Sequence, residues 1–297
     1  MTKIGLYGAM LCHERRSRLA LIEKQLPFTL TEIDYRRLQT VSSTSLNCSM
    51  DFYDQLAPFY HILYSDWDAA IAQQSAQLSA IVRSQWGNQI QTILDVSCGV
   101  GTQALGLVAQ GYQVTASDLS RQSIERAQRE AQTRNLDIDF SVCDMRAGHR
   151  HHQAEFDVVI SCDNSIPHLL NDAEILTALE QLYACTRPNG GCLLTIRDYD
   201  KEPRGTGIVK PYGIRTGSGK RYLVFQVWDF VGEVYDLSMY FVEDDQLRDR
   251  AVTTVMRSRY YAIAPHHLMM LMERVGYHSV TRLDDQFFQP VLVGTKY

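Results

Sequence analysis

The sequence predicts an α/β fold: a parallel sheet with helices on both faces, carrying an antiparallel β insertion late in the chain. Three observations predict it. Short apolar runs alternate with helical patterns between about positions 92 and 197. A glycine-bearing turn joins the first strand to the helix after it. From about 208 to 263, consecutive β segments replace the alternation.

Taken in order, Asp51 to Ile62 and Trp67 to Trp86 read as helices, with apolar residues at three and four spacings (Ile71, Leu78, Ile81, Val82). Thr92 to Val96 is a short buried strand, and Gln103 to Gln110 a helix. Tyr112 to Ala116 is the second strand, and Ser120 the N-cap of a helix running to about Asn135. Ile138 to Val142 and Phe156 to Ser161 are the third and fourth strands. Asp172 to Thr186 is a helix, ended by Pro188 and the turn Asn189-Gly190-Gly191. Cys192 to Arg197 is the fifth strand. The insertion, about 205–262, holds Tyr222 to Trp228, Glu233 to Tyr240 and Val252 to Tyr261. Pro265 then opens a helix to Val275, and Val280 to Asp284 with Gln289 to Thr295 form a closing hairpin. The Ser/Thr-rich stretch Thr40 to Ser49 reads as a linker, dividing a short appendage (1–40) from one large domain (50–297).

Composition narrows the partners. Of 297 residues, 45 % are hydrophobic, enough for a substantial core. The formal net charge of -5 recruits no polyanion, so no nucleic-acid partner is expected. The seven cysteines are scattered and an odd number, as in a reduced, cytoplasmic protein rather than a disulfide framework. No apolar run is long enough to span a bilayer, so no membrane association is expected; the oligomeric state is not legible.

The chemistry gathers at the first turn, Asp95-Val96-Ser97-Cys98-Gly99-Val100-Gly101. Gly99 and Gly101 let a ligand approach the backbone, and the following helix aims free N–H groups at it. These glycines suit a dinucleotide equally well. Asp95 does not: a carboxylate ~4 Å from a pyrophosphate charge meets repulsion of about 4 kcal/mol at an effective dielectric near 20. A phosphate-free cation, S-adenosylmethionine with its ammonium and sulfonium, is attracted instead. Asp118, with Leu119 after it, ends the second strand where an acid accepts ribose hydroxyls. Asp144-Met145 follows the third strand, placed to accept from an adenine amino group and to pack on its ring. Three acids at three successive strand ends lie along the ligand-binding edge of such sheets.

At these residues the sequence resembles the class I S-adenosylmethionine-dependent methyltransferases over about 50–297, with Ser97 where many members have glycine. A closer resemblance is to the glycine and glycine/sarcosine N-methyltransferases. It rests on Phe52-Tyr53-Asp54-Gln55-Leu56-Ala57-Pro58-Phe59-Tyr60 with Trp67-Asp68, on Cys162-Asp163-Asn164-Ser165-Ile166-Pro167-His168-Leu169, and on Arg197-Asp198-Tyr199-Asp200. The resemblance implies a Rossmann-like methyltransferase sheet, a cap over the cofactor bearing Tyr53, Tyr60 and Trp67, and cofactor contacts from Ser97, Cys162, Asp163 and Ser165. It also implies Arg197 as anchor of an amino-acid carboxylate, with Asn164 facing the amine and Tyr199 beside them. Asp198 stands where those enzymes have asparagine, which puts glycine itself in doubt as the acceptor.

Bottom-up chemistry agrees. Arg197 ends a parallel strand, where a guanidinium can grip a carboxylate through two bonds. Tyr222 and Tyr260 are further candidates to line the site, since ring faces and hydroxyls suit a sulfonium. Methyl transfer from a sulfonium needs positioning and exclusion of water rather than a nucleophilic triad or a metal. His168 reads as a capping or packing histidine that could serve as a base. The run Gly148-His149-Arg150-His151-His152 lacks a clear fourth ligand and reads as a solvated loop, so no metal is expected.

Four readings stay open: transfer to a small-molecule amine, transfer to oxygen or carbon of a small metabolite, a protein that binds the cofactor without turnover, and an NAD-dependent oxidoreductase, which survives only if Asp95 points away from the ligand. Residues 1–38 carry a strand–helix–strand pattern that faintly resembles the opening of a glutathione-transferase-type thioredoxin fold. The rest of that fold is missing, so a structural appendage is expected.

Overall fold

The computed structural model describes residues 45–217, 219–245 and 250–297. The appendage pattern at the N-terminus lies outside them. So does the first half of the expected linker; its second half is instead the start of a helix, α1 (Ser45–Leu56). Phe52 and Leu56 bury one face of α1 in the core. The helix stops before Pro58, because the residue preceding a proline is pushed out of the helical region. A separate 3₁₀ turn, Tyr60–Leu63, replaces the continuous helix expected to Ile62.

The alternation is as expected: α2 (Trp67–Trp86), β1 (Thr92–Asp95), α3 (Thr102–Ala109), β2 (Gln113–Asp118), α4 (Arg121–Thr133), β3 (Asp139–Val142), α5 (Gly148–His152), β4 (Phe156–Ser161), α6 (Asp172–Cys185) and β5 (Thr186–Thr195). Ser120 caps α4 by accepting from Ser123 N at 3.1 Å. The chain then forms β6 (Ile208–Gly217), β7 (Lys220–Val231), β8 (Val234–Asp245) and β9 (Arg250–Tyr261). It closes with α7 (Pro265–Arg274), β10 (His278–Leu283) and β11 (Val291–Thr295).

The main sheet runs β10-β11-β5-β4-β1-β2-β3. The pairs from β5 through β3 are parallel, and β11 is antiparallel to both β5 and β10. The strand order reverses between β1 and β4, so the loops after these strands open a crevice at their C-terminal ends. Alternate residues serve opposite faces. Leu94 and Val159 join the core with α6, while Ile93, Val158 and Ile160 join the core with α2.

The expected turn at Asn189-Gly190-Gly191 is an excursion inside β5, not a break before it. Pairing jumps from Phe156↔Thr186 to Val158↔Gly191, and Asn189 N donates to Lys296 O at 2.7 Å. Gly191 lies against the Trp86 ring, where an added Cβ would sit 2.0 Å from a ring carbon. Gly191→Ala is therefore expected to destabilise the fold by roughly 1–3 kcal/mol, read as a lower Tm in thermal unfolding; an unchanged Tm would contradict this packing.

Strands β6 to β9 form a separate antiparallel sheet. Burial alternates along them, so Trp228 and Phe230 of β7 and Tyr235, Leu237 and Met239 of β8 share one core with Ile196 and Tyr199. This packing brings the insertion's aromatic face to the end of β5. Among the described residues, no helix is long and apolar enough to cross a membrane.

Candidate active site

A cleft opens at the C-terminal ends of β1, β2, β3 and β4. Ser97, Gly99, Asp118, Leu119, Asp144, Met145, Cys162, Asp163 and Ser165 line it, together with Tyr53 and Tyr60 from the N-terminal cap and His168. The expected site residues Asp95, Gly101, Trp67, Asn164, Arg197 and Tyr199 stand outside that lining.

Asp95 is wholly buried at the end of β1. Its Oδ1 accepts from Ser97 N at 3.1 Å, while its Oδ2 has no hydrogen-bond partner. Burial first, with Asp118 adding, pushes its carboxyl up to about 7 against the opposing Ser97 bond. An orphaned buried acceptor of this kind calls for a donor or a cation. Gly99 has φ +54, and nothing lies within 4 Å of where its Cβ would be. A side chain there would enter the cleft, so glycine keeps the backbone open to a ligand. Both features fit a cationic, phosphate-free nucleoside.

Asp118 binds the loop as well as facing the cleft. Its Oδ2 accepts from Gly99 N at 2.9 Å and its Oδ1 from Ser120 N at 2.8 Å. Burial raises its carboxyl above the usual range, partly offset by these bonds. Each oxygen keeps a lone pair for a ligand hydroxyl. Asp144 is held by Arg146, whose Nη2 donates at 2.6 Å. Burial pushes this acid up, but the Arg146 bonds outweigh it and hold it below the ordinary range. Gly101 faces Leu105 and Ala127 rather than the cleft, opening α3. Trp67 packs behind the loop, its Nε1 donating to Thr102 Oγ1 at 2.9 Å. Both support the loop from beneath.

The second half of the site lies past β4 and β5. Asp163 and Asn164 take consecutive left-handed angles, φ +55 and +64. The backbone is held there because Asp163 N donates to Thr195 Oγ1 at 2.7 Å and Asn164 N to Thr195 O at 3.1 Å. Asp163 Oδ2 accepts from Tyr60 OH at 2.8 Å, tying the cap to the sheet edge. The Asn164 side chain is engaged at both ends: Nδ2 donates to Tyr199 OH at 2.8 Å, and Oδ1 accepts from Arg197 N at 3.0 Å. It thus sets the positions of Tyr199 and Arg197.

Arg197 lines a second cleft, which shares Asp163 with the first. Its guanidinium lies 5.0 Å from the Trp228 ring and donates to Tyr235 OH at 3.3 Å. Burial opposes its charge, but the oxygens of Tyr235, Tyr199, Tyr212 and Tyr260 outweigh it and keep the group a cation. Among the described residues no carboxylate forms an ion pair with it. The neighbouring Asp198 pairs with Lys201 at 2.9 Å and Arg282 at 2.6 Å instead.

His168 has both ring nitrogens near hydroxyls, Nε2 to Tyr53 OH at 2.9 Å and Nδ1 to Ser258 Oγ at 3.4 Å. Burial, and then Arg197, push it down to about 3. The Tyr260 ring lies against it at a tilt of 43°, with ring centroids 4.0 Å apart. Tyr222 is elsewhere, packed edge-on against Phe59. Trp228 and Tyr235 beside Arg197, and Arg146 and Glu174 in the cleft wall, are residues that sequence reasoning missed. Arg146 directly follows Asp144-Met145, and that adjacency was its visible signal. Trp228 and Tyr235 gave none, because strand pairing within the insertion places them.

The histidine run expected as a solvated loop is the short helix α5.

Comparison with known proteins agrees with this geometry. A family model described as a methyltransferase domain matches residues 93–190. The glycine/sarcosine N-methyltransferase of Parasynechococcus marenigrum (strain WH8102) is 27 % identical over 225 residues, covering 74 % of this chain and 75 % of that protein. The glycine N-methyltransferase of Rattus norvegicus is 26 % identical over 49 % of this chain, which spans 53 % of that relative's length. Among solved structures, DesVI of Streptomyces venezuelae matches with a TM-score of 0.69 at 18 % identity, over 83 % of this chain and 98 % of its own. CalS10 of Micromonospora echinaspora, an amino pentose methyltransferase with S-adenosylmethionine bound, matches with a TM-score of 0.69 at 15 % identity, over 81 % of this chain and 95 % of its own. The strand order, the open glycine loop and these likenesses lead to one conclusion: the chain carries a methyltransferase domain on the Rossmann-like fold of the class I, S-adenosylmethionine-dependent methyltransferases.

Proposed function

We propose that the acceptor is the amine of a small amino acid, held by its carboxylate at Arg197. The observation that carries this reading is a half-buried guanidinium, beside the cofactor cleft, with no carboxylate partner among the described residues. A charged group so placed is stabilised by an anion delivered with the substrate. The likeness to glycine/sarcosine N-methyltransferases supports the same class. Asp198 does not exclude it, since Arg282 and Lys201 hold its charge.

Asp118, Asp144 with Met145, and the open backbone at Gly99 are the residues that would hold the cofactor, with Asp95 at the cationic pole. When bound, S-adenosylmethionine supplies an electrophilic methyl group on a sulfonium. The chain's own residues bind, orient and exclude water. Arg197 fixes the carboxylate end of the acceptor, and Asn164 fixes Arg197 through its backbone amide. Asp163, common to both clefts, attracts the acceptor ammonium. Burial raises its carboxyl, which suits it to take the proton that the ammonium must lose before its lone pair is free.

Transfer to oxygen would call for a stronger base. His168 at about 3 is too weak a base for that work near neutral pH. His168→Ala is therefore expected to lower kcat by less than about tenfold while leaving the shape of the pH–rate profile unchanged; loss of one limb of that profile would restore His168 as a base. The reading as a whole is tested by an acceptor panel with methyl-labelled S-adenosylmethionine, read by mass spectrometry. Labelled product is expected from amino acids but not from simple amines or phenols. Labelling of phenols alone would overturn it.

A further inference from the structure

The histidine run that the methyl-transfer reading leaves unused meets a cysteine in the fold. We infer that Cys143, His151 and His152 form a binding site for a divalent transition-metal ion, beside the cofactor cleft. Cys143 directly follows β3, and its N donates to Asp118 O at 3.0 Å, which fixes the strand end. Helix α5 brings His151 and His152 back to the same place. One donor atom from each of the three lies within 4.8 Å of the other two. A tetrahedral ion with bonds of about 2.0–2.3 Å needs donors about 3.5 Å apart. The gap is roughly one ångström, within reach of side-chain rotation, and His151 is exposed and free of core packing.

The surroundings resemble those of a ligand shell. The two rings meet edge to face at 4.8 Å. His151 Nε2 lies 3.0 Å from Ser141 Oγ, and His152 Nε2 lies 3.2 Å from Ser117 Oγ. A hydroxyl on one ring nitrogen orients the imidazole and sets its tautomer, as partners of metal-bound histidines do. Burial and then its neighbour His151 lower His152, which keeps it a neutral ligand. Burial, with Asp144 adding, holds the Cys143 thiol up at about 11. Coordination takes that sulfur as thiolate and releases its proton to solvent.

The donor set decides the ion. One sulfur and two imidazoles favour Zn²⁺, Co²⁺ or copper over Mg²⁺ or Ca²⁺, which need oxygens. The carboxylate next to Cys143 in sequence, Asp144, is tied to Arg146. Three protein ligands leave a fourth position for water. Cys143 also lines the cofactor cleft, so an ion here changes one of that cleft's walls from thiol to metal-bound thiolate.

Titrating the full chain with Co²⁺ tests the assignment. The expected result is one equivalent bound with a thiolate-to-cobalt charge-transfer band, displaced by Zn²⁺ and not by Mg²⁺. Cys143→Ser is expected to abolish the band, and His151→Ala to weaken Co²⁺ binding at least about tenfold. If Cys143→Ser fails to fold by circular dichroism, the exposed His151→Ala carries the test. Absence of the band in the wild type, or unchanged affinity in His151→Ala, would overturn the site.

Discussion

Arg197→Met is expected to lower kcat/KM for an amino-acid acceptor by roughly 100-fold or more, while the Kd for S-adenosylmethionine changes little. The size follows from what the guanidinium does. Truncating one partner of a buried, hydrogen-bonded charge pair costs about 2–5 kcal/mol, and Met keeps the stem that packs near Trp228 while removing the charge. The cofactor should be insensitive because Arg197 lines the second cleft and, unlike Asp95, has no chain neighbour in the lining of the first. Arg197→Lys should recover only part of the loss, since an ammonium cannot grip a carboxylate through two parallel bonds. Parallel steady-state kinetics and cofactor titrations check both. A large cofactor defect in Arg197→Met would mean that the arginine supports the fold instead.

Cofactor affinity is expected to strengthen about tenfold between pH 6 and pH 8, from Asp95, whose carboxyl sits near 7. Below that value the buried acid is neutral and offers no charge to the cofactor's cationic pole; above it the carboxylate forms and attracts. The sign for the free protein is the opposite. Between the ordinary carboxyl value of 3.8 and about 7, the folded chain holds a proton that the unfolded chain has lost. Stability without cofactor therefore falls as pH rises through that window and levels off above it. Asp95→Asn removes the ionisation and should flatten the difference, which separates it from titrations in the cofactor itself. Calorimetric titration of both proteins at the two pH values measures the effect; equal slopes in wild type and Asp95→Asn would exclude Asp95 as its source.

Legibility in the sequence followed the range of the interactions. Phe156–Ser161 was readable as a strand to its ends because a run buried on both faces is mainly apolar, here Phe156, Val158, Val159 and Ile160. Ser120 was readable as a cap because capping is decided within three residues. The end of α1 was misread although Pro58 was in view, since helical spacing continued past it. The β5 excursion was misread because Asn189-Gly190-Gly191 looks like a turn, and only pairing with Lys296 keeps it within the strand. The same division holds in the site. The acids at strand ends were visible because ends of β strands mark the crevice. The double engagement of Asn164, the pairing of Asp198 with Arg282 and the aromatic wall around Arg197 depend on contacts between distant segments. No local pattern encodes those. The meeting of Cys143 with His151 and His152 was hidden for the same reason.

The account turns on a carboxylate seated at Arg197, and acceptor binding measures that without requiring turnover. Protein saturated with S-adenosylhomocysteine would be titrated with an amino acid that gives labelled product, and in parallel with the carboxamide of the same amino acid. The account predicts that the carboxylate form binds at least about tenfold more tightly, and that Arg197→Met erases the difference. Equal binding of the two forms by the wild-type protein would contradict it.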